Sequence, residues 1–144
     1  MNTFRQHAEE AFASGTGFER VGELLADDVV FSSPVVYSPY EGRPIVAAIL
    51  RGVARVFEDF RYVSSIEEEN RSALVFRTRV GDTEIHGVDL ITTNDDGLIT
   101  DFTVMVRPQS GALALKEAMG AQFERIQAEA IAEMQQQAPE QAQQ

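Results

Sequence analysis

The hydrophobic pattern of this chain changes period near Phe60, and that change restricts the possible folds more than any other feature. Upstream, apolar residues recur every three or four positions; downstream they alternate through four consecutive segments, Arg61 to Glu69, Ala73 to Val80, Thr83 to Thr92 and Leu98 to Arg107. The joints are Glu69-Asn70-Arg71, Gly81-Asp82 and Asn94-Asp95-Asp96-Gly97. These are too short for a crossover helix, so an antiparallel meander is expected. Helices followed by an unbroken run of strands predict an α+β fold rather than a wound parallel sheet.

The helical part begins with residues 3 to 13, where Phe4, Ala8, Ala11 and Phe12 share a face, and Ser14-Gly15-Thr16-Gly17 ends it. A second short helix is expected to carry Phe18, Val21, Leu24 and Leu25 and to finish near Ala26-Asp27-Asp28. Val29 to Pro34 reads as a short strand, and Val35 to Gly42 as a loop whose Tyr37 and Tyr40 make it a candidate pocket rim. From Pro44 a helix places Ile45, Ala48, Ile49, Gly52, Val53, Val56, Phe57 and Phe60 on one stripe, the longest buried helix predicted. Gly52 costs such a helix about 1 kcal/mol relative to Ala, which implies a close approach, here expected to the sheet. After Gln109-Ser110-Gly111 a last helix presents Leu115, Met119, Phe123 and Ile126 on one side. Residues 1–134 are read as a single domain and residues 135–144, rich in Gln and Ala, as a disordered tail.

Charge removes several classes of function. With 23 acidic and 12 basic side chains the net charge is -11, which repels phosphate backbones and anionic head groups, so neither nucleic acid nor membrane is expected as a partner. There is no cysteine, hence no thiol nucleophile and no disulfide framework; a cytoplasmic location is expected. No apolar run approaches the roughly 18 residues of a membrane span, and the first ten residues lack a secretory pattern.

One carboxylate stands out. Along the third alternating segment Ile85, Gly87, Asp89 and Ile91 point one way, and Asp89 is the only charged member of that set. On the following strand Leu98, Thr100, Phe102, Val104 and Val106 form a face without charge. A carboxyl in such surroundings is neutralised, hydrogen-bonded or put to use, because an ionised group buried without partners is costly. The bland alternative is a buried carboxyl satisfied by a backbone or phenol donor. His86, three residues earlier, falls on the opposite side, as a surface or interface histidine. Only His7 and His86 are present, without metal-ligand spacing, so no metal is expected. Gly15-Thr16-Gly17 lacks the preceding strand and third glycine of a dinucleotide site, Asp27-Asp28 reads as a solvated turn, and Glu67-Glu68-Glu69 as a solvated strand end.

Three segments, "LLADDVVF" from Leu24 to Phe31 with its "LADD" core, "YEGRPIV" from Tyr40, and "GVDLITTNDDGLI" from Gly87 to Ile99, resemble the nuclear transport factor 2-like superfamily, in which SnoaL-like polyketide cyclases and ketosteroid isomerases are the nearest enzyme relatives. The resemblance covers roughly residues 3 to 108. It implies a cone-shaped, strongly curved antiparallel sheet wrapped around a long helix, enclosing an apolar cavity, and commonly a homodimer through the outer sheet face. It places Asp89 where the isomerases hold a protonated oxyanion-hole aspartic acid and the cyclases their acid-base aspartate; a carboxylic acid kept neutral by an apolar site is a known device of that isomerase. The isomerase's general base would fall on Ser33 and its first-helix tyrosine near Ala8 or Glu9, so that mechanism is not carried over whole. The same resemblance makes Phe76, Thr78, Val80, Phe102, Val104 and Val106 cavity lining, and puts Arg77, Arg79, Asp101, Met105 and Arg107 on the outer face; Phe57, on the stripe of the long helix, is a further candidate ligand contact. Limonene epoxide hydrolase, on the same fold, directs an Asp-Arg-Asp set into its cavity; here Arg77 and Arg79 have outward parity, which disfavours that chemistry.

Two functions remain open on these residues. One is a cofactor-independent isomerase or cyclase using Asp89 as acid-base on a hydrophobic cyclic small molecule, with Tyr37 or Tyr40 holding an oxygen. The other is a non-catalytic module that binds a lipophilic ligand or assembles as a dimer.

Overall fold

The four alternating segments form β3 (Glu58–Glu67), β4 (Arg71–Val80), β5 (Thr83–Thr93) and β6 (Ile99–Arg107), each antiparallel to the next. The computed structural model describes residues 3–14 and 19–137. It adds two strands to the meander: β1 (Leu25–Ser32) pairs in parallel with β6, and β2 (Tyr40–Glu41) pairs outside β1, giving the order β2-β1-β6-β5-β4-β3. The sheet is therefore mixed and unclosed rather than a pure meander. Its parallel pair joins distant parts of the chain, α2 and four strands lying between them, which is more than the length of connection parallel pairing requires.

Helices α1 (Thr3–Ser14), α2 (Arg43–Val56) and α3 (Gln109–Gln137) cover this sheet. The expected second helix is only a 3-10 turn, Val21–Leu24, after which the chain is already extended at Leu25. Pairing with β6 overrides local preference there: Leu25, Ala26, Val29 and Phe31 are buried, while Asp27 and Asp28 are exposed at a register shift and Asp27 pairs with Arg43. Gly15-Thr16-Gly17, the expected break after α1, lies outside the described residues.

Helix α2 follows Gly42, whose φ of 102° only glycine adopts readily, and Pro44 sits in its first turn. It ends at Val56, four residues before the apolar stripe does, so Phe57 and Phe60 belong to the link and to β3. Gly52 faces helix α3 and not the sheet: a Cβ there would lie 2.8 Å from Ile126 Cδ1. Helix α3, at 29 residues, is twice as long as α2, and Leu115, Ile126 and Ala130 are its buried side chains. It continues through residues 135–137, into the segment expected to be a tail; residues 138–144 lie outside the described residues.

Three further irregularities bend the sheet, two at its β3 edge and one at its centre. In β3 the register shifts around Asp59, at φ 53°, and again around Val63. Between β5 and β6 it shifts at Thr92 and Thr93, leaving Thr100 unpaired. Ile99 is consequently buried, although strict alternation had assigned Leu98 and Thr100 to the inner face. Bulges of this kind increase local twist and curve a sheet. No helix among the described residues is long and apolar enough to cross a membrane.

Candidate functional site

The inner face of β5 is as alternation requires: Ile85, Gly87, Asp89 and Ile91 are all buried, and Asp89 is 6% exposed. Gly87 makes room for the aromatic floor beside the carboxyl. A Cβ at Gly87 would lie 2.4 Å from Phe76 Cζ and 2.8 Å from the Met105 carbonyl oxygen, so only glycine lets that ring lie flat against β5. Phe76 in turn packs on Phe57 and Phe60, with ring centroids 5.8 and 5.2 Å away.

The group that answers Asp89 comes from two strands away. Tyr62 on β3 pairs with Phe76 on β4, and the bulge after it carries the chain on to Ser64 opposite Val75. From that position the Tyr62 hydroxyl donates to Asp89 Oδ2 at 2.7 Å. No other hydrogen bond is made to the carboxyl by the described residues. Oδ1 is left to the cavity. Burial raises the Asp89 pKa to about 7 from an ordinary 3.8, against the Tyr62 hydrogen bond, which favours the ionised form. Burial and the Asp89 charge push the Tyr62 phenol well above its usual range, so it stays protonated as a donor.

Asp89 opens on a cavity of about 360 Å³. Tyr40, Phe57, Phe102 and Val104 line it. Phe76, Thr78, Val80 and Val106 do not: Phe76 meets the Tyr62 ring edge-on with centroids 6.5 Å apart, the buried Thr78 hydroxyl donates to the Glu58 carbonyl at 2.8 Å, and Val80 and Val106 pack against the core. Tyr37 is corrected most clearly. It is fully exposed and absent from the lining, because residues 33–36 carry the wall and the chain turns outward after Val36. Ser33 lines the cavity where the resemblance placed a general base, but its hydroxyl accepts the Val35 N–H at 3.1 Å. Among the described residues Asp89 is the only carboxyl in this lining.

Helix α3 closes the cavity with Leu115, Lys116, Met119, Gly120, Phe123 and Ile126. Tyr62 was missed outright. The available signal was parity, since Phe60 and Tyr62 alternate inward on β3 just as Asp89 does on β5, but pairing across two strands cannot be read from spacing.

An aromatic wall of Phe12, Phe57, Phe60 and Tyr62 separates this cavity from a polar cleft of about 1130 Å³. Phe12 stacks on Phe60 with centroids 4.4 Å apart. Across the cleft Glu129 of α3 binds Arg51 and Arg55 of α2 and Arg125 of its own helix, each at 3.1 Å. Burial alone would raise the Glu129 pKa; the hydrogen bond from Arg51 and the charge of Arg55 outweigh it and hold the group below its ordinary value. The outer face of the sheet carries His86, within 3.4 Å of Arg107, together with the exposed Met105 and Leu90.

The family model for the SnoaL-like domain matches residues 4–102, and the chain belongs to that family. A steroid delta-isomerase from Pseudomonas aeruginosa is 41% identical, with a TM-score of 0.77 over 83% of this chain and 88% of that one. An uncharacterised cystatin-like-fold protein from Silicibacter pomeroyi is 38% identical, with a TM-score of 0.77 over 90% and 95%. At 16% identity, a protein from Catenulispora acidiphila with a ketosteroid isomerase-like fold, solved with trimethylamine, shares the fold, with a TM-score of 0.58 over 79% and 92%. No curated protein matches the chain.

Proposed function

We propose that this SnoaL-like protein is a cofactor-independent isomerase that moves a proton beside the carbonyl of an apolar, cyclic small molecule, with Asp89 as the proton carrier. The observation that carries this reading is a buried carboxyl with one oxygen held by Tyr62 and the other open to an apolar cavity. A carboxylate with a pKa of about 7 is a stronger base than one in water and remains half ionised near neutrality, which suits general base catalysis. Asp89 takes the C–H proton next to the carbonyl, the electron pair moves into the enolate, and the same carboxylic acid returns the proton at the vinylogous carbon. No oxidant, metal or organic cofactor enters that balance. Tyr40, which is in the lining, would donate to the enolate oxygen. The steroid delta-isomerase relative supports the choice of reaction.

The test is conversion of a β,γ-unsaturated ketone to its conjugated isomer, followed by ultraviolet absorbance. Asp89→Asn keeps the Tyr62 contact and removes the base, so turnover should fall at least 10³-fold with the fold intact; wild-type turnover in that variant refutes the mechanism. The competing reading is a lipophilic-ligand carrier, favoured by the engagement of Ser33 with Val35 and the lack of a second carboxyl in the cavity. It requires saturable binding without turnover in the wild type.

We also read the outer face, where Met105 and Leu90 are exposed among Arg77, Arg107 and Asp101, as a homodimer surface, and the protein as cytoplasmic, in keeping with its lack of cysteine. Sedimentation at micromolar concentration checks the first.

A further inference from the structure

The cavity wall holds one charged group for which proton transfer has no use. Lys116 is the only lysine in the chain. It stands on α3 at the solvent end of the cavity, where the other lining residues Val36, Gly120 and Phe123 are also exposed, whereas Asp89 is buried. Three and four residues away along the helix are Ala112, Leu113, Met119 and Gly120, so the helical pairing used by Arg5 and Arg125 is closed to it. Among the described residues eight of the eleven arginines, residues 5, 20, 43, 51, 55, 71, 79 and 125, form ion pairs with carboxylates, and Lys116 forms none. Arg61, Arg77 and Arg107, the other cations without such a pair, do not line this cavity. In a chain of net charge -11, an exposed cation without an ion pair at the rim of an apolar cavity is available to a ligand.

We infer that the substrate is amphipathic, an apolar ring body bearing a carboxylate that Lys116 holds at the mouth while the carbonyl end reaches Asp89. This deepens the isomerase reading and rests on it only for the position of the carbonyl. The two charged groups set the direction of entry, since Asp89 repels an anion at the closed end and Lys116 attracts one at the open end. A volume of about 360 Å³ lies within the range of small-ligand sites.

The experiment compares 2-naphthylacetate with 2-naphthylacetamide, which share a ring body and differ in charge, by calorimetric titration of the full chain at pH 8. The wild type should prefer the acid about fivefold at low salt and less at high salt, as a boundary ion pair does. Lys116→Gln should bring the two affinities together without changing that of the amide, and Lys116→Glu should invert the order. An unchanged acid-to-amide ratio in Lys116→Gln, or no saturable binding of the acid by the wild type, overturns the assignment. Asp89→Asn should keep the acid preference, and its loss there would also overturn the assignment by placing the anion at the closed end. Turnover retained in Asp89→Asn, with the preference intact and dependent on Lys116, would instead remove the isomerase reading and leave the carboxylate site standing.

Discussion

Asp89 and Glu129 are the same functional group on either side of one aromatic wall, and they are driven in opposite directions. Burial pushes both pKa values up. Glu129 receives three guanidinium groups and ends below its ordinary value, whereas Asp89 receives one neutral phenol and ends near 7. Burial alone therefore does not leave a carboxyl with a raised pKa; burial with a partner too weak to compensate the charge does. Glu129 joins α3 to α2, which holds α3 over the cavity, and Asp89 has a single hydrogen-bond partner, Tyr62.

The largest expected effect that could break this contrast is in the pH dependence of stability. The folded chain holds the Asp89 proton up to about pH 7, the unfolded chain releases it near 4, so the folded state binds more protons in between and stability falls as pH rises through that window. The difference corresponds to roughly 4 kcal/mol. Asp89→Asn should remove that slope in urea titrations between pH 4 and 8, becoming more stable than the wild type above pH 7; parallel curves for the two proteins would show that the carboxyl is not held neutral.

Gly87→Ala tests the wall itself. The added methyl meets both Phe76 and the Met105 carbonyl, and overpacking against backbone should lower stability by about 3 kcal/mol in denaturant unfolding. Glu129→Gln should cost about 1–2 kcal/mol at pH 7 by leaving Arg51 and Arg55 short of charge. Because the folded-state pKa of Glu129 is depressed, that contribution is present above the ordinary glutamate range and is lost as the pH falls through the folded value, the reverse of Asp89. Tyr62→Phe should have the smallest effect. It removes the one hydrogen bond favouring ionised Asp89, so the alkaline rise of turnover should move to higher pH by about one unit, read as a kcat/KM profile.

Much of the inner face was legible in advance because strand alternation is a local property. Ile85, Gly87, Asp89 and Ile91 needed only their own spacing, and the α+β class needed only the switch of period near Phe60. Alternation failed at Thr100, where a bulge inserts one residue and brings Ile99 inside. Helical periodicity failed at Phe57 and Phe60, which carry the stripe of α2 onward although the backbone has become extended. Tyr37 was misplaced for a similar reason, since residue type says that an aromatic can line a rim but not which way a loop turns.

Taken alone, the order of residues determined that a charged group would sit on an apolar sheet face and that the chain would carry a strong acidic excess, because both depend on near neighbours or on simple sums. The tertiary structure decided that Tyr62, 27 positions from Asp89, would be its partner, that Gly52 would seat Ile126, and that α3 would close the cavity with Lys116 at its mouth. Those outcomes rest on strand register, bulges and helix docking, which arise from contacts between segments distant in sequence and leave no periodic trace within any one of them.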